Sequence, residues 1–104
     1  MPPFHPQAEL ALCNQARSSS RAEREAAFER IFRELRAQVF ALCLHLTGAR
    51  AEAADAVQDC FLSVYQAMGA FRGEARLATW VYRIAVRSAL SVKARTVRGW
   101  RVHP

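Results

Sequence analysis

The chain has few of the residues that interrupt or cross-link a fold. Its 104 residues include only four glycines and four prolines, and 52% are hydrophobic, which argues against disorder and for one small compact domain. The three cysteines (Cys13, Cys43 and Cys60) are an odd number without CxxC spacing, which disfavours a disulfide framework or a metal site. We expect them to be small buried residues in a reducing compartment.

Long apolar runs and alternating patterns are also missing. The best apolar run, Val39–Leu44, is far shorter than the roughly 20 residues of a membrane span, so no membrane insertion is expected. No useful stretch alternates with period two, which leaves no predicted sheet. The sequence therefore predicts an all-α fold, a compact bundle of about four helices.

Acidic residues are scarce in the last third of the chain. Residues 1–71 hold seven Arg and eight acids, a balance of −1, whereas residues 72–104 hold seven Arg, one Lys and a single acid, Glu74, a balance of +7. A balanced body with a basic last third suggests a polyanionic partner on one side. The alternative is a solvated charged face without a ligand.

The spacing of apolar residues and the residues that start or end helices predict where the helices lie. In the first, Leu10 and Cys13 are the expected buried positions, and Pro2, Pro3 and Pro6 are expected to keep the preceding leader extended. The predicted helices are about Gln7 to Ala16, Ser20 to Thr47, Arg50 to Met68, and Glu74 to Thr96.

The two central helices carry the clearest signals. Ser20 followed by Glu23 is a capping box, and Gly48 suits a left-handed helix end. The predicted buried stripe of the second helix is Phe28, Ile31, Phe32, Leu35, Val39, Leu42, Cys43 and Leu46. In the third helix it is Ala53, Val57, Phe61, Val64 and Met68, while Asp55, Gln58, Asp59 and Leu62 share another face.

The fourth helix is long and one-sided. Arg76, Arg83, Arg87 and Arg98 fall in one sector at about 100° per residue, and Trp80 lies among them. The loop before this helix, Phe71–Arg76, contains a glycine and precedes a helix N-terminus, so it is suited to contact a phosphate or an unstacked base. Core packing is the alternative role for Phe71 and Trp80. The opposite, buried side is predicted to hold Leu77, Val81, Ile84, Ala85, Ser88 and Val92.

Catalytic signatures are not visible. No nucleophile–base pair, glycine-rich phosphate loop or metal-ligand cluster occurs, and Asp55 with Asp59 has no third ligand or base nearby. The chain is therefore expected not to be an enzyme and to use no metal or cofactor.

Three motifs, from about Ala27 to Arg95, resemble region 2 of the extracytoplasmic-function (ECF) sigma factors of bacterial RNA polymerase. They are "AAFERIF", "LTGARAEAADAVQDCFLSVYQAM" and "FRGEARLATWVYRIAV", in the family's order and spacing. The resemblance implies that the face of Asp55, Gln58 and Asp59, together with the exposed Leu62, docks on the coiled coil of the polymerase β′ clamp. Plain solvent exposure is the alternative for that face.

The resemblance also implies a surface for promoter DNA. In the family, the loop before the last helix captures a flipped-out base of the non-template strand of the −10 element, and the matching Thr79 and Trp80 lie where the duplex opens. The basic face of the last helix is predicted to contribute as well, with Arg76, Arg83, Arg87 and Arg95 holding phosphates. The predicted DNA-binding residues are Phe71, Arg72, Gly73, Glu74, Arg76, Thr79, Trp80, Arg83, Arg87, Ser91 and Arg95.

The sequence departs from the family pattern at three positions. The family commonly has Asn at the position of Arg87, a polar or acidic residue near the position of Ser91, and a carboxylate at the position of Ala54. The base preference and the strength of the clamp contact therefore do not carry over from the family.

The resulting interpretation is a sigma subunit domain that recognises and melts the −10 element. Residues 1–20 are a leader and short first helix, 21–96 the region 2-like domain, and 97–104 the start of a linker to an absent second domain. We expect a cytoplasmic monomer, masked by an anti-sigma factor as is common in the family. The alternatives are a duplex-DNA-binding domain of helix-turn-helix type and a protein-interaction module for a regulator.

Overall fold

Four α-helices account for most of the chain in the computed structural model. The structure describes residues 4–102, with side chains described as far as residue 97, and that part contains no strand. The prediction of an all-α bundle is confirmed. The helices are α1 (Pro6–Ala16), α2 (Arg21–Thr47), α3 (Arg50–Ala67) and α4 (Leu77–Val102), with a short 3-10 turn (Met68–Ala70) after α3.

The ends of α2 form as their sequence signals predict. The Ser20 hydroxyl accepts a hydrogen bond from the Glu23 backbone N–H at 3.3 Å, so one N–H that the helix leaves unpaired is satisfied. Gly48 adopts φ 78° and donates its N–H to the Leu44 carbonyl at 2.8 Å. This left-handed conformation strains other residues, and it reverses the chain into α3 within two residues.

Small side chains let α2, α3 and α4 approach closely. Ala27 on α2, Ala53 and Ala56 on α3, and Ala85 and Ala89 on α4 are fully buried. The predicted buried side of α4 is confirmed, since its six members are all buried. The larger fully buried side chains that fill the centre are Ile31, Leu35, Val39, Cys43, Cys60, Val64 and Val81.

The predicted buried face of α1 is wrong. Leu10 is 62% exposed and Cys13 is half-buried, while Leu12 and Ala16 face the core. In a helix of three turns, Leu10 and Leu12 are competing apolar positions, and the partner surface decides between them. Pro6 is not part of an extended leader either, because it occupies the first helical position, where a missing N–H costs nothing.

The predicted bounds of α4 are also wrong. The helix begins at Leu77 rather than near Glu74, because Gly73 at φ 82° holds the preceding loop out of the helical conformation. It continues to Val102 rather than ending near Thr96. The linker assigned to residues 97–104 stays a prediction, with helical backbone as far as Val102. Residues 103 and 104, and the side chain of Arg98, lie outside the described part.

Candidate nucleic-acid interface

The predicted polar face of α3 is present on the surface. Asp55, Gln58 and Leu62 are exposed along one side of the helix, and Leu62 is 56% exposed. Within residues 4–97, the side chains of Asp55 and Gln58 form no hydrogen bond or ion pair. They are thus free to bind another molecule. Asp59, the fourth member, is half-buried and is already paired, as described below.

An aromatic groove lies beside this face, and only part of it was anticipated. Phe28 and Phe32 of α2 meet Phe61 and Tyr65 of α3, with edge-to-face contacts such as Phe32–Phe61 at 4.9 Å between centroids and Phe28–Tyr65 at 5.2 Å. The sequence assigned the three phenylalanines to the core and overlooked Tyr65, which lies seven residues after Gln58 and so on the same face. The groove is lined by Phe28, Phe32, Ala54, Val57, Gln58, Phe61, Leu62 and Tyr65.

Ala54 keeps this groove apolar. A carboxylate at the same position, as the family resemblance led us to expect, would place a charge among the aromatic rings. The methyl group instead continues the apolar lining between Val57 and the phenylalanines. An exposed apolar groove with Gln58 in its lining, and with Asp55 exposed one helical turn before Gln58, has the composition of a protein-binding surface.

The loop before α4 presents its middle and buries its first residue. Phe71 is only 4% exposed, so its ring belongs to the core and is not available to a base. Arg72, Gly73 and Glu74 are exposed, and Arg72 donates to the Gly69 carbonyl at 3.0 Å. Arg72 to Glu74 therefore form the exposed middle of the predicted loop, and Arg76 at its end is also exposed but is paired, as described below.

Trp80 connects the loop to the surface of α4. Its ring packs on Phe71 with centroids 4.9 Å apart and planes tilted by 39°, and it remains half-buried. The exposed part lines a groove between α3 and α4. The other lining residues of this groove are Asp59, Leu62, Ser63, Ala67, Ile84, Arg87, Ser88 and Ser91. Trp80 thus has both of the roles that the sequence left open, as a packing residue and as a surface aromatic.

The four arginines predicted to hold phosphates fall into two groups. Arg83 and Arg87 are exposed next to Trp80 and form no hydrogen bond or ion pair with the side chains described. Thr79 is exposed beside them. Two free guanidinium groups flanking an exposed indole edge suit phosphate contacts next to a stacked base.

The other two arginines are held within the molecule. The Arg76 Nε lies 3.1 and 3.2 Å from the carboxylate oxygens of Glu9. Arg95 donates to Asp59 at 3.1 Å and to the Ser91 hydroxyl at 3.1 Å. Asp59 was assigned to polymerase binding and Arg95 to DNA binding, so the structure joins a residue of each predicted surface.

Two of the three thiols, those of Cys43 and Cys60, are buried and shielded from chemical reagents. Burial raises the pKa of Cys60 to about 12, with the neighbouring Cys43 adding to the effect, and burial also raises the pKa of Cys43. Raised pKa values keep the thiols protonated and poorly nucleophilic. In residues 4–102, no group of three His, Cys, Asp or Glu is arranged to hold a metal ion, and no helix is long and apolar enough to cross a membrane.

Comparison with known proteins places the chain in a family. The model of sigma-70 region 2 matches residues 31–99, which include α3, the loop and most of α4. The chain is 32% identical over 78 residues to the ECF RNA polymerase sigma factor SigM of Mycobacterium tuberculosis, covering 75% of this chain and 38% of that protein. It is 33% identical over 63 residues to the RNA polymerase sigma-H factor of Pseudomonas aeruginosa, covering 61% of this chain and 33% of that protein.

A shorter and more similar stretch matches a third relative. Over 35 residues the chain is 49% identical to the ECF RNA polymerase sigma-E factor of Escherichia coli, covering 34% of this chain and 18% of that protein. The chain therefore belongs to the sigma-70 region 2 family, as a region 2 domain of the ECF type. It spans about a third of the length of the two longer-matching relatives. No solved structure matches it significantly.

Proposed function

We propose that this chain is the region 2 domain of an RNA polymerase sigma subunit. It docks on the β′ clamp coiled coil through α3, and it captures unstacked non-template bases of the −10 element at the loop and Trp80. The proposal rests on family membership and on one observation above all. α3 exposes a face of polar and apolar side chains, and α4 of the same small helical domain exposes a basic face that includes an aromatic side chain.

The docking part of the proposal is supported by the side chains around Gln58. Asp55 and Gln58 offer free polar groups, and the groove from Phe28 to Tyr65 offers apolar surface directly beside Gln58. A central apolar patch with a polar rim is the usual anatomy of a specific protein interface. An amphipathic helix of the clamp would place its apolar side chains in the groove and its basic residues against Asp55.

The DNA-binding part needs no covalent step. Opening the duplex costs a few kcal/mol per extruded base, and this cost is offset by stacking and phosphate contacts. Trp80 supplies the stacking surface, and Arg83 and Arg87 hold the flanking phosphates. Gly73, Arg72 and Glu74 form the exposed part of the loop that meets the base.

Calorimetry with an isolated β′ clamp coiled-coil fragment tests the docking. The variant Asp55→Asn/Gln58→Ala removes one charge and one amide from the docking face but keeps the Asp59–Arg95 pair intact. We expect it to lose binding. The matched control Glu29→Gln/Gln38→Ala removes the same groups from exposed positions on α2 and should bind like the wild type. A folded wild-type domain that does not bind the fragment would contradict the proposal.

The alternatives make different predictions for DNA. A helix-turn-helix domain joins its helices by a turn of about three or four residues, whereas the connection from Ala67 to Leu77 contains a 3-10 turn and a loop. Such a domain would prefer duplex over single-stranded DNA. A pure regulator-binding module, for an anti-sigma factor for example, would bind no DNA in a salt-dependent way. Measuring both DNA forms across a salt series separates the three.

A further inference from the structure

The segment before α2 packs against the underside of the candidate base-binding loop. Phe4, Leu12 and Ala16 are each only 2% exposed. Leu12 and Ala16 lie against Phe71, the first residue of the loop, and against Met68 and Leu77, which flank the loop. This segment, residues 4–17, lies outside the part of the chain that the family model matches. Its contacts with the loop are therefore a feature that family membership does not supply.

Polar bonds fix both ends of the loop to this segment. At the first end, Arg17 donates from Nη1 to the Phe71 carbonyl at 3.0 Å, and its Nη2 is held by the Asn14 side chain at 2.7 Å. At the other end, Arg76 donates from Nη2 to the Phe4 carbonyl at 3.0 Å and from Nε to Glu9. The residues between the two ends, Arg72 to Glu74, form no hydrogen bond with the segment.

We propose that residues 4–17 are a brace that holds the base-binding loop in its binding shape, with Glu9 and Arg17 as positioning residues. The sequence had predicted that Arg76 holds a phosphate. In this proposal Arg76 belongs to the brace instead. The effect on DNA rests on the proposed function, whereas the effect on the loop itself does not.

The physical reason is preorganisation. A free loop loses backbone entropy for each residue that becomes ordered on binding, and a loop already fixed at both ends avoids most of that cost. The Glu9 side chain is only 14% exposed, compared with 47% for Arg76. Drawing Arg76 away to a phosphate would leave a sheltered carboxylate and the Phe4 carbonyl without their partner, which opposes the exchange.

Hydrogen exchange tests the brace without any DNA. In Glu9→Gln and in Arg17→Gln, we expect the hydrogen-bonded amides at the two ends of the loop to exchange about tenfold faster through local opening, with α2 and α3 unchanged. These are the amides of Phe71, bonded to the Met68 carbonyl at 3.2 Å, and Trp80, bonded to the Arg76 carbonyl at 3.0 Å. The controls Glu29→Gln and Arg33→Gln remove the same charges from an exposed pair on α2 and should leave the loop amides as they are. Unchanged loop exchange in both positioning variants would overturn the proposal. Trp80 fluorescence in a Trp100→Phe background gives a second readout of the same loop.

Salt-dependent binding to a labelled single strand of randomised sequence, about ten nucleotides long, tests the consequence. We expect Glu9→Gln to bind roughly tenfold more weakly, as when about one more residue must be ordered. The slope of log K against log salt should stay unchanged, because no phosphate contact is lost. Tighter binding with a steeper slope would mean that Glu9 restrains a phosphate-binding Arg76, and would overturn the proposal. A faster-exchanging loop in a domain that binds no DNA even as wild type would contradict the proposed function and leave the brace standing.

Discussion

The arginines in the middle of α4 differ in their contacts from the arginines near its two ends. Arg83 and Arg87, in the middle, have no bonded partner among the described side chains, whereas Arg76 and Arg95 are both held by carboxylates. From the sequence all four residues were predicted alike, as groups that hold phosphates. The difference shows that a count of arginines overstates the cationic groups that a polyanion can reach without breaking existing bonds.

The largest effect on single-strand binding is expected from Trp80→Ala, at the centre of the free group. A stacked base is worth about 1–3 kcal/mol, so affinity should fall by that amount in fluorescence anisotropy titrations. Some stability will be lost too, because the indole packs on Phe71, so binding must be measured where the variant is fully folded. Tyr65→Ala removes an aromatic side chain from the groove beside the docking face instead, and should leave DNA affinity intact. Equal affinities of Trp80→Ala and wild type would assign Trp80 to the core alone.

The next effect tests the free arginines themselves. Arg83→Gln/Arg87→Gln should make the salt dependence of single-strand binding shallower by about 1.4, since each lost phosphate contact contributes about 0.7 to the slope. Arg33→Gln/Arg50→Gln removes two exposed charges elsewhere and serves as the control. If both double variants change the slope equally, the contribution is one of net charge and not of position.

A smaller effect is expected where Asp59 holds Arg95. Asp59→Asn should lower the free energy of unfolding by less than about 1 kcal/mol, because both side chains of the pair are about half exposed. The released Arg95 should then steepen the salt dependence of DNA binding by about 0.7. Adding Arg95→Gln should remove that gain. A slope that does not change in Asp59→Asn would show that Arg95 does not reach the DNA.

The smallest effect concerns the buried cysteine thiols, in contrast to the surface residues tested above. The pKa of Cys60 is raised from 9.0 to about 12, so the folded state disfavours the thiolate. The contribution of the Cys60 thiol to the free energy of unfolding is complete below its ordinary pKa, and it is lost as pH rises from about 9 toward 12. At mildly alkaline pH we therefore expect no loss of stability, and a thiol reagent should label Cys13 well before Cys43 and Cys60. Rapid labelling of all three would contradict the buried positions.

Local signals predicted most of the fold, because they depend on residues close in sequence. The capping box at Ser20, the helix end at Gly48 and the buried side of α4 each need only a few neighbouring residues. The predictions that were wrong depended on distant partners. Leu12 is buried in place of Leu10, because the surface that α1 packs against is formed by residues far along the chain.

The candidate site was predictable to the same extent. The exposed face of α3 follows from helical spacing, and so does the position of Trp80 among the arginines. The partners of the arginines do not, because Arg76 and Glu9 are 67 residues apart and Arg95 and Asp59 are 36 apart. No pattern within a single helix distinguishes such a paired arginine from a free one.

The way the loop is anchored has a consequence for engineering. Arg17 and Arg76 both bind main-chain carbonyl groups, those of Phe71 and Phe4, and every amino acid carries such a group. The residues between the anchors can therefore be exchanged, Gly73 excepted for its positive φ, without removing what holds them. If the loop reads a base as proposed, replacing Arg72, Glu74 and Ala75 by the residues that relatives carry there should change the base preference and leave the anchoring of the loop intact.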